Sequence, residues 1–414
     1  MSPARVKISL FSIYLLYAIL LNSVGAVILQ SIASFGVTKQ DASLLEAFKD
    51  LPIAFVSFLV ASSLPRLGYR RAMTLAVAAV AAACLAMALI PAFLTTKLLF
   101  LTVGASFALV KVSVYSTIGL LTNDAKGHAS LLNLIEGLFM VGVLAGYFLF
   151  AAFIDPAQAS STAWTRVYLP LALLAAANAI LLAVTRFPPP PAPGEARLAQ
   201  DFKEMLALLW RPSVIVFAIS AFFYVLIEQG VGTWLPTFNN EVLRLPPAMS
   251  VQAASIFAAA LAAGRLGAGM ILKRMNWYPL LNICLFCMGA LIMLTLPATR
   301  GLEPRADISW FNAPVAAFIL PLIGLFLAPI YPAINSVILS SLPRNLHAAM
   351  TGLIVIFSAL GGTTGSFITG RSFARFGGET AFLFSLAPMA ALFFLLWLLR
   401  RVINLREERA PDVS

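Results

Sequence analysis

The feature that most constrains this chain is a series of twelve apolar stretches, each about 20 residues long, divided by short polar breaks. A helix rises ~1.5 Å per residue, so each stretch can cross the ~30 Å hydrocarbon core of a bilayer. They fall at roughly 8–33, 43–64, 72–94, 98–121, 129–153, 165–186, 213–235, 248–272, 278–297, 312–334, 348–370 and 379–400. In lipid every backbone N–H and C=O must find a partner within the segment, so such stretches fold as helices. The sequence therefore reads as an all-α polytopic membrane protein of twelve transmembrane helices. Its charge content agrees, at 11% against ~25% for a soluble domain. The apolar run from Phe11 exceeds the ~7–15 residues of a signal-peptide core, which predicts an uncleaved first helix.

The basic residues set the orientation. With the N-terminus inside, 17 lysines and arginines fall in cytoplasmic segments, 8 in outside loops, and Lys49, Lys111 and Arg265 within the membrane. Cytoplasmic loops carry the excess in membrane proteins, so both termini are expected in the cytoplasm of a cell with an inner membrane. All six tryptophans, Trp164, Trp210, Trp234, Trp277, Trp310 and Trp397, fall near predicted helix ends, as an aromatic belt at the interfaces requires. The net charge of +11 thus reflects topology, and the expected partners are the bilayer, a small-molecule solute and a proton, with no nucleic acid. A monomer is expected.

One break is long. Residues 188–212 hold a proline run, a semi-rigid spacer, followed by Leu198, Phe202, Met205, Leu206 and Leu209 at helical spacing, which suits a helix on the inner leaflet. It divides the chain into an N-terminal bundle (1–187), a cytoplasmic linker (188–212) and a C-terminal bundle (213–414). The halves echo one another: SSLPRLGYRR follows the second helix and AGRLGAGMILKRM closes the eighth. Such repeats place a binding site near the bilayer midplane. Gly137, Gly142, Gly146, Gly264, Gly267, Gly269, Gly361, Gly362 and Gly365 are expected to let helices approach closely. Pro321, Pro329 and Pro332 should kink the tenth span.

Seven ionisable groups fall within the spans: Glu46, Lys49, Asp50, Lys111, Glu136, Glu228 and Arg265. A charge at that depth costs at least ~2.5–3.5 kcal/mol on insertion scales and is usually functional, paired or facing water. Lys111 and Glu136 lie at comparable depth on consecutive antiparallel helices. They read either as a structural salt bridge or as an anion contact beside a protonatable carboxylate. Glu46 and Asp50 share a face one turn apart; Glu46 is expected in water near the outer mouth, and Asp50, deeper, as a proton-coupling group. Glu228 is expected to face a cavity and to couple protons, with Glu136. Asn22, Tyr115, Tyr224, Gln229 and Asn335 are expected to hydrogen-bond the solute. Arg66, Arg70, Arg71 and Arg265 are expected at a cytoplasmic gate.

No P-loop signature, metal-ligand cluster or catalytic constellation is present in the sequence. Cys284-x-x-Cys287 stands alone and reads as helix filler rather than a zinc or redox site. No cofactor is expected, the chain does not read as an enzyme, and energy must come from an ion or solute gradient.

Twelve spans, the six-plus-six division and the paired basic turns together resemble the major facilitator superfamily. FFYVLIEQGVGTWL at 222–235, AGRLGAG at 263–269, LLNLIEGLF at 131–139 and GLFLAPIYPAINSVIL at 324–339 are most similar to its fucose-permease-related branch. The resemblance implies two six-helix bundles that work by alternating access, the first, fourth, seventh and tenth spans lining a central cavity, and sugar:proton symport as in that branch. Two departures qualify it. Pro65 stands where the family carries an acid before Arg66, and Lys111 stands where sugar carriers of the branch carry an acid. The reversed charge favours a small polar or anionic solute over a sugar, with proton-driven efflux of an amphipathic compound as the alternative.

Overall fold

The computed structural model describes residues 3–60, 64–122, 124–189, 198–299, 301–302, 308–343 and 346–407. Most of the proline run lies outside these, as do Arg197, Arg300, Arg305, Arg344 and Arg409 of the topology count. The chain forms two compact units, Met1–Leu198 with Pro246–Ser255, and Ala199–Leu245 with Ile256–Ser414.

In the first unit the opening span is broken. Helix α1 (Pro3–Asn22) stops at Ser23 and α2 (Val24–Phe35) resumes. The carbonyls loosened by the break are met by side chains: Asn22 Nδ2 donates to the Ala18 carbonyl at 2.9 Å and Ser23 Oγ to that of Leu20 at 2.8 Å. Five further helices follow: α3 (Lys39–Val60), α4 (Tyr69–Leu89), α5 (Phe93–Leu121), α6 (Ala125–Ala152) and α7 (Tyr168–Val184). The main pairings are α1 with α6, α3 with α5, and α4 with α5 and α7.

Among the described residues 11 helices are long and apolar enough to cross a membrane. The twelfth crossing is α3, whose 22 residues reach ~33 Å but hold Lys39, Asp41, Glu46, Lys49 and Asp50, too many charges to register as apolar. Glu46 and Lys49 are admitted by burial within the protein and Asp50 is half-buried beside them, whereas Asp41 in the first turn is exposed. At Gly104 of α5 the helices come so close that any Cβ would collide with the Lys49 carbonyl oxygen of α3, and side chains on this face of α3 are removed from lipid.

The second unit begins with a short amphipathic helix, α8 (Leu198–Leu208), as its spacing predicts. Met205 and Leu208 are buried, whereas Phe202, Leu206 and the following Trp210 are exposed. The spans that follow are α9 (Pro212–Gly232), α10 (Pro247–Ile271), of which the residues up to Ser255 are counted with the first unit, α11 (Trp277–Thr299), a broken tenth span, α12 (His347–Phe376), and a last span in two pieces, Gly378–Leu383 and Leu386–Glu407. The tenth span is interrupted at two of the three expected prolines: Ala316–Ile319 runs into a 3-10 turn at Leu320–Leu322 that holds Pro321, then Ile323–Leu327, then a break at Pro329 before Ile330–Ser340, whereas Pro332 sits in the first turn of that last helix without breaking it.

Glycine packing follows the expected pattern at several positions. Gly361 and Gly365 of α12 sit against the Phe222 and Leu226 carbonyls of α9, and Gly264 of α10 against that of Leu325. In contrast, Gly137, Gly267 and Gly269 have nothing within 4 Å of a would-be Cβ, so close packing is not their role. The aromatic belt also needs correction. Trp164 and Trp234 are 1% and 0% exposed, because each indole N–H has an internal acceptor. Trp164 Nε1 donates to Ser34 Oγ at 3.1 Å, and Trp234 Nε1 to the Ser366 carbonyl and Oγ at 3.0 and 3.1 Å.

Candidate functional site

In the first unit, α5 presents Phe107, Lys111 and Tyr115 on successive turns, a spacing that stacks side chains along one face. The Lys111 ammonium lies 5.9 Å from the centroids of both the Phe107 and Tyr115 rings, the distance at which the negative ring faces attract a cation. Two more rings join: Tyr14 of α1 approaches Phe107, Tyr115 and Phe139 with centroids 5.9–6.4 Å apart, and Phe139 of α6 lies 6.4 Å from Phe107. Tyr14 is buried, whereas Tyr115, Lys111 and Glu136 are exposed.

Glu136 shares this site, but not as the ion-pair partner that depth alone suggests. Its Oε1 accepts a 2.7 Å hydrogen bond from the Tyr115 hydroxyl. Among the described residues no carboxylate comes within 4.0 Å of Lys111 Nζ; Glu136 acts on it only through the field across a longer gap. The tyrosine occupies the acid, and the lysine is held on rings. A cation without a salt bridge, exposed, and ~15 Å from the cytoplasmic end of its helix is the chemical signature of this site.

The acidic turn of α3 forms a second cluster. Lys49 Nζ contacts Glu46 Oε1 directly and lies 3.4 Å from Asp50 Oδ1. Glu46 is 0% exposed, which corrects the expectation that it stands in water at the outer mouth. The physical reason is Lys49, three residues along the same helix, which neutralises it. Asp50 is half-buried and also engaged by Lys49, so all three groups form one triad rather than a lone deep acid.

In the second unit Tyr224 of α9 stacks on Tyr331 of the tenth span, centroids 5.0 Å apart and planes 23° from parallel. The Tyr224 hydroxyl donates to Glu228 Oε1 at 3.3 Å, and the Tyr331 hydroxyl lies 2.9 Å from Ser358 Oγ. Asn335 lies one turn beyond Tyr331, with its Oδ1 buried and without a hydrogen-bond partner. Arg265 of α10 is exposed and close enough to Tyr224 to act on it electrostatically. Six predicted positions, Lys111, Tyr115, Glu136, Tyr224, Glu228 and Asn335, thus fall into two tyrosine-carboxylate groups, one in each unit.

The remaining positions fall elsewhere. Gln229 Oε1 accepts from Thr233 Oγ1 within its own helix at 3.0 Å, and Asn22 serves the break in the first span. Arg70 Nη1 reaches the Ala183 carbonyl at the end of α7 at 3.4 Å, while Arg66 and Arg71 are exposed. Tyr14, Phe107, Phe139 and Tyr331 are site residues that the sequence reading missed. The period-four run Phe107, Lys111, Tyr115 was a signal for the first group, whereas the Tyr224–Tyr331 stack joins distant segments and left none.

Comparison with known proteins places this architecture. Over 209 residues, 49% of this chain, it is 29% identical to the MFS transporter asaE of Aspergillus flavus. That stretch spans 42% of the relative's length, so this chain matches well under half of it. The nucleoside transporter NupG superposes with a TM-score of 0.72 at 14% identity, covering 97% of this chain and all of that one. The E. coli fucose:proton symporter FucP superposes with a TM-score of 0.60 at 17% identity, covering 96% and 99%. Residues 10–366 match the family described as Major Facilitator Superfamily. Twelve crossings, structural neighbours of that architecture and a family match over most of its length together establish that this multi-pass membrane chain belongs to the major facilitator superfamily of transporters.

Proposed function

We propose that the chain is a secondary active transporter that moves a small polar or anionic organic solute by alternating access, coupled to proton symport. The observation that carries this reading is Lys111: a membrane-depth cation with no carboxylate in ion-pair range, beside a carboxylate held by Tyr115. Such a charge is retained at that depth for a ligand rather than for stability. In this reading Lys111, Tyr115 and Glu136 of the N-terminal bundle and Tyr224, Glu228 and Asn335 of the C-terminal bundle contact the solute. Asn22 and Gln229 lend their remaining polar atoms. Glu136, Glu228 and Asp50 are the proton-coupling candidates, of which Asp50 is already engaged by Lys49. Arg66, Arg70, Arg71 and Arg265 belong to the gate, and bundles 1–187 and 213–414 move about the linker. The protein works as a monomer in an inner membrane with both termini in the cytoplasm.

Purified protein in vesicles of known orientation, given an imposed pH gradient and a panel of sugars, carboxylates and nucleosides, tests the reading. Lys111→Ala and Glu136→Gln should each abolish gradient-driven uptake while the protein still elutes as a folded species. Wild-type uptake in both would refute it. Accumulation in the direction opposite to proton flow would instead select export.

A further inference from the structure

The first-unit site constrains the solute beyond its being polar or anionic, and the argument rests on that site being where the solute binds. A sugar is recognised by many hydrogen-bonding groups; the groups that meet here are one ammonium, one tyrosine-bound carboxylate and several aromatic rings. Lys111 makes no hydrogen bond or ion pair among the described residues, so its three N–H donors are open to an anion. On either side of it lie the Phe107 and Tyr115 rings, and across from them Phe139, which is half-buried. Tyr115, 36% exposed, and Phe139 offer the walls against which a flat apolar body can rest.

Charge then fixes what must travel with the anion. The ionisable groups facing Glu136 are Lys111 and Tyr115 from α5 and Tyr14 from α1. The third element packed against α6, the turn Ala163–Val167, carries Arg166 near the opposite end of α6. On α6 itself Lys126 and His128 lie two or more turns away. With the phenols neutral, the empty site sums to zero, one ammonium against one carboxylate. A bound carboxylate would leave it at minus one out of bulk water, a cost that a single proton on Glu136 removes.

We propose that the solute is an aromatic, flat-bodied monocarboxylate, seated with its carboxylate on Lys111 and its ring against Tyr115 and Phe139, and carried with one proton on Glu136, so that the loaded site is electrically neutral.

Hippurate, an aromatic monocarboxylate that stays ionised near neutral pH, is the probe, with its uncharged amide and indole-3-acetate as comparators. Calorimetry on the full chain in lipid nanodiscs, in two buffers of different ionisation enthalpy, counts protons taken up on binding. The expected result is binding of both carboxylates and not of the amide, with about one proton taken up per anion and affinity weakening as pH rises. Glu136→Gln should bind at every pH with no proton uptake, Lys111→Gln should lose binding, and Lys111→Arg should keep it. Binding without proton uptake in the wild type, or failure of both carboxylates, overturns the proposal. If fucose or a nucleoside binds instead and does so through Lys111 and Glu136, the site stands and the solute class is wrong. If hippurate binds the wild type and Lys111→Gln alike, with the same proton uptake in Glu136→Gln, the site itself is misplaced.

Discussion

Replacing Lys49 with methionine tests the energetics of the triad on α3. The change keeps the length of the side chain and removes its charge, leaving Glu46, with a side chain 0% exposed, and Asp50, at 13%, without their cation. At the 3.4 Å separation of Lys49 and Asp50 and an effective dielectric of about 20, the lost attraction is about 5 kcal/mol for that contact alone. Removing one partner of a buried pair is observed to cost about 3–5 kcal/mol, because it strands an uncompensated charge. Both routes give a loss comparable to the whole stability of an ordinary domain, so Lys49→Met should unfold at markedly lower temperature or fail to accumulate. The triple change Lys49→Met, Glu46→Gln, Asp50→Asn removes charge and countercharge together and should recover most of the loss, since a buried ion pair and a neutral isostere are often near parity. Thermal unfolding of detergent-solubilised protein, followed by intrinsic fluorescence for wild type, the single variant and the triple variant, gives the comparison. A single variant as stable as wild type, or a triple variant as unstable as the single, would refute the reasoning.

Gly365→Ala should destabilise by about 1–3 kcal/mol, as overpacking does, because its Cβ meets the Leu226 carbonyl, whereas Gly267→Ala, with open space around it, should be neutral or slightly stabilising; paired melting curves compare them. Tyr115→Phe removes the 2.7 Å donor to Glu136 without altering packing, so the fold should persist while the pH dependence of uptake shifts. Trp234→Phe removes the donor shared by the Ser366 carbonyl and hydroxyl, and should cost about 1–3 kcal/mol in thermal stability.

How much of this was legible beforehand varies by residue. The crossings could be read because length and apolarity are additive along the chain, and α3 was found despite its charges because its flanks fit the spacing. The depth of Lys111 and Glu136 followed from counting residues inward. Their failure to pair did not, because the choice of Tyr115 over Lys111 as the partner of Glu136 depends on side-chain reach rather than register. Glu46 was misplaced for a related reason. A carboxylate near a helix start suggests water, and it is the contact with Lys49, three residues along, that lets it be buried instead. The burial of Trp164 and Trp234 turns on single acceptors, Ser34 and Ser366, supplied from more than a hundred residues away. The tenth span, in contrast, broke at Pro321 and Pro329 as proline chemistry predicts, while Pro332 fell in a first helical turn, where its missing N–H costs nothing.

Gly104 has no side chain and carries no charge, yet its position bears on the electrostatics of its neighbourhood. Because the backbones of α3 and α5 meet there, the residue sets how far water can follow the helix seam toward Lys49. A methyl group at that position would part the helices and let solvent into the seam, and the triad would weaken by screening rather than by any change in its own members. The local dielectric of the N-terminal bundle is in this sense encoded by its smallest side chain, and a substitution at position 104 should act on charges it never touches.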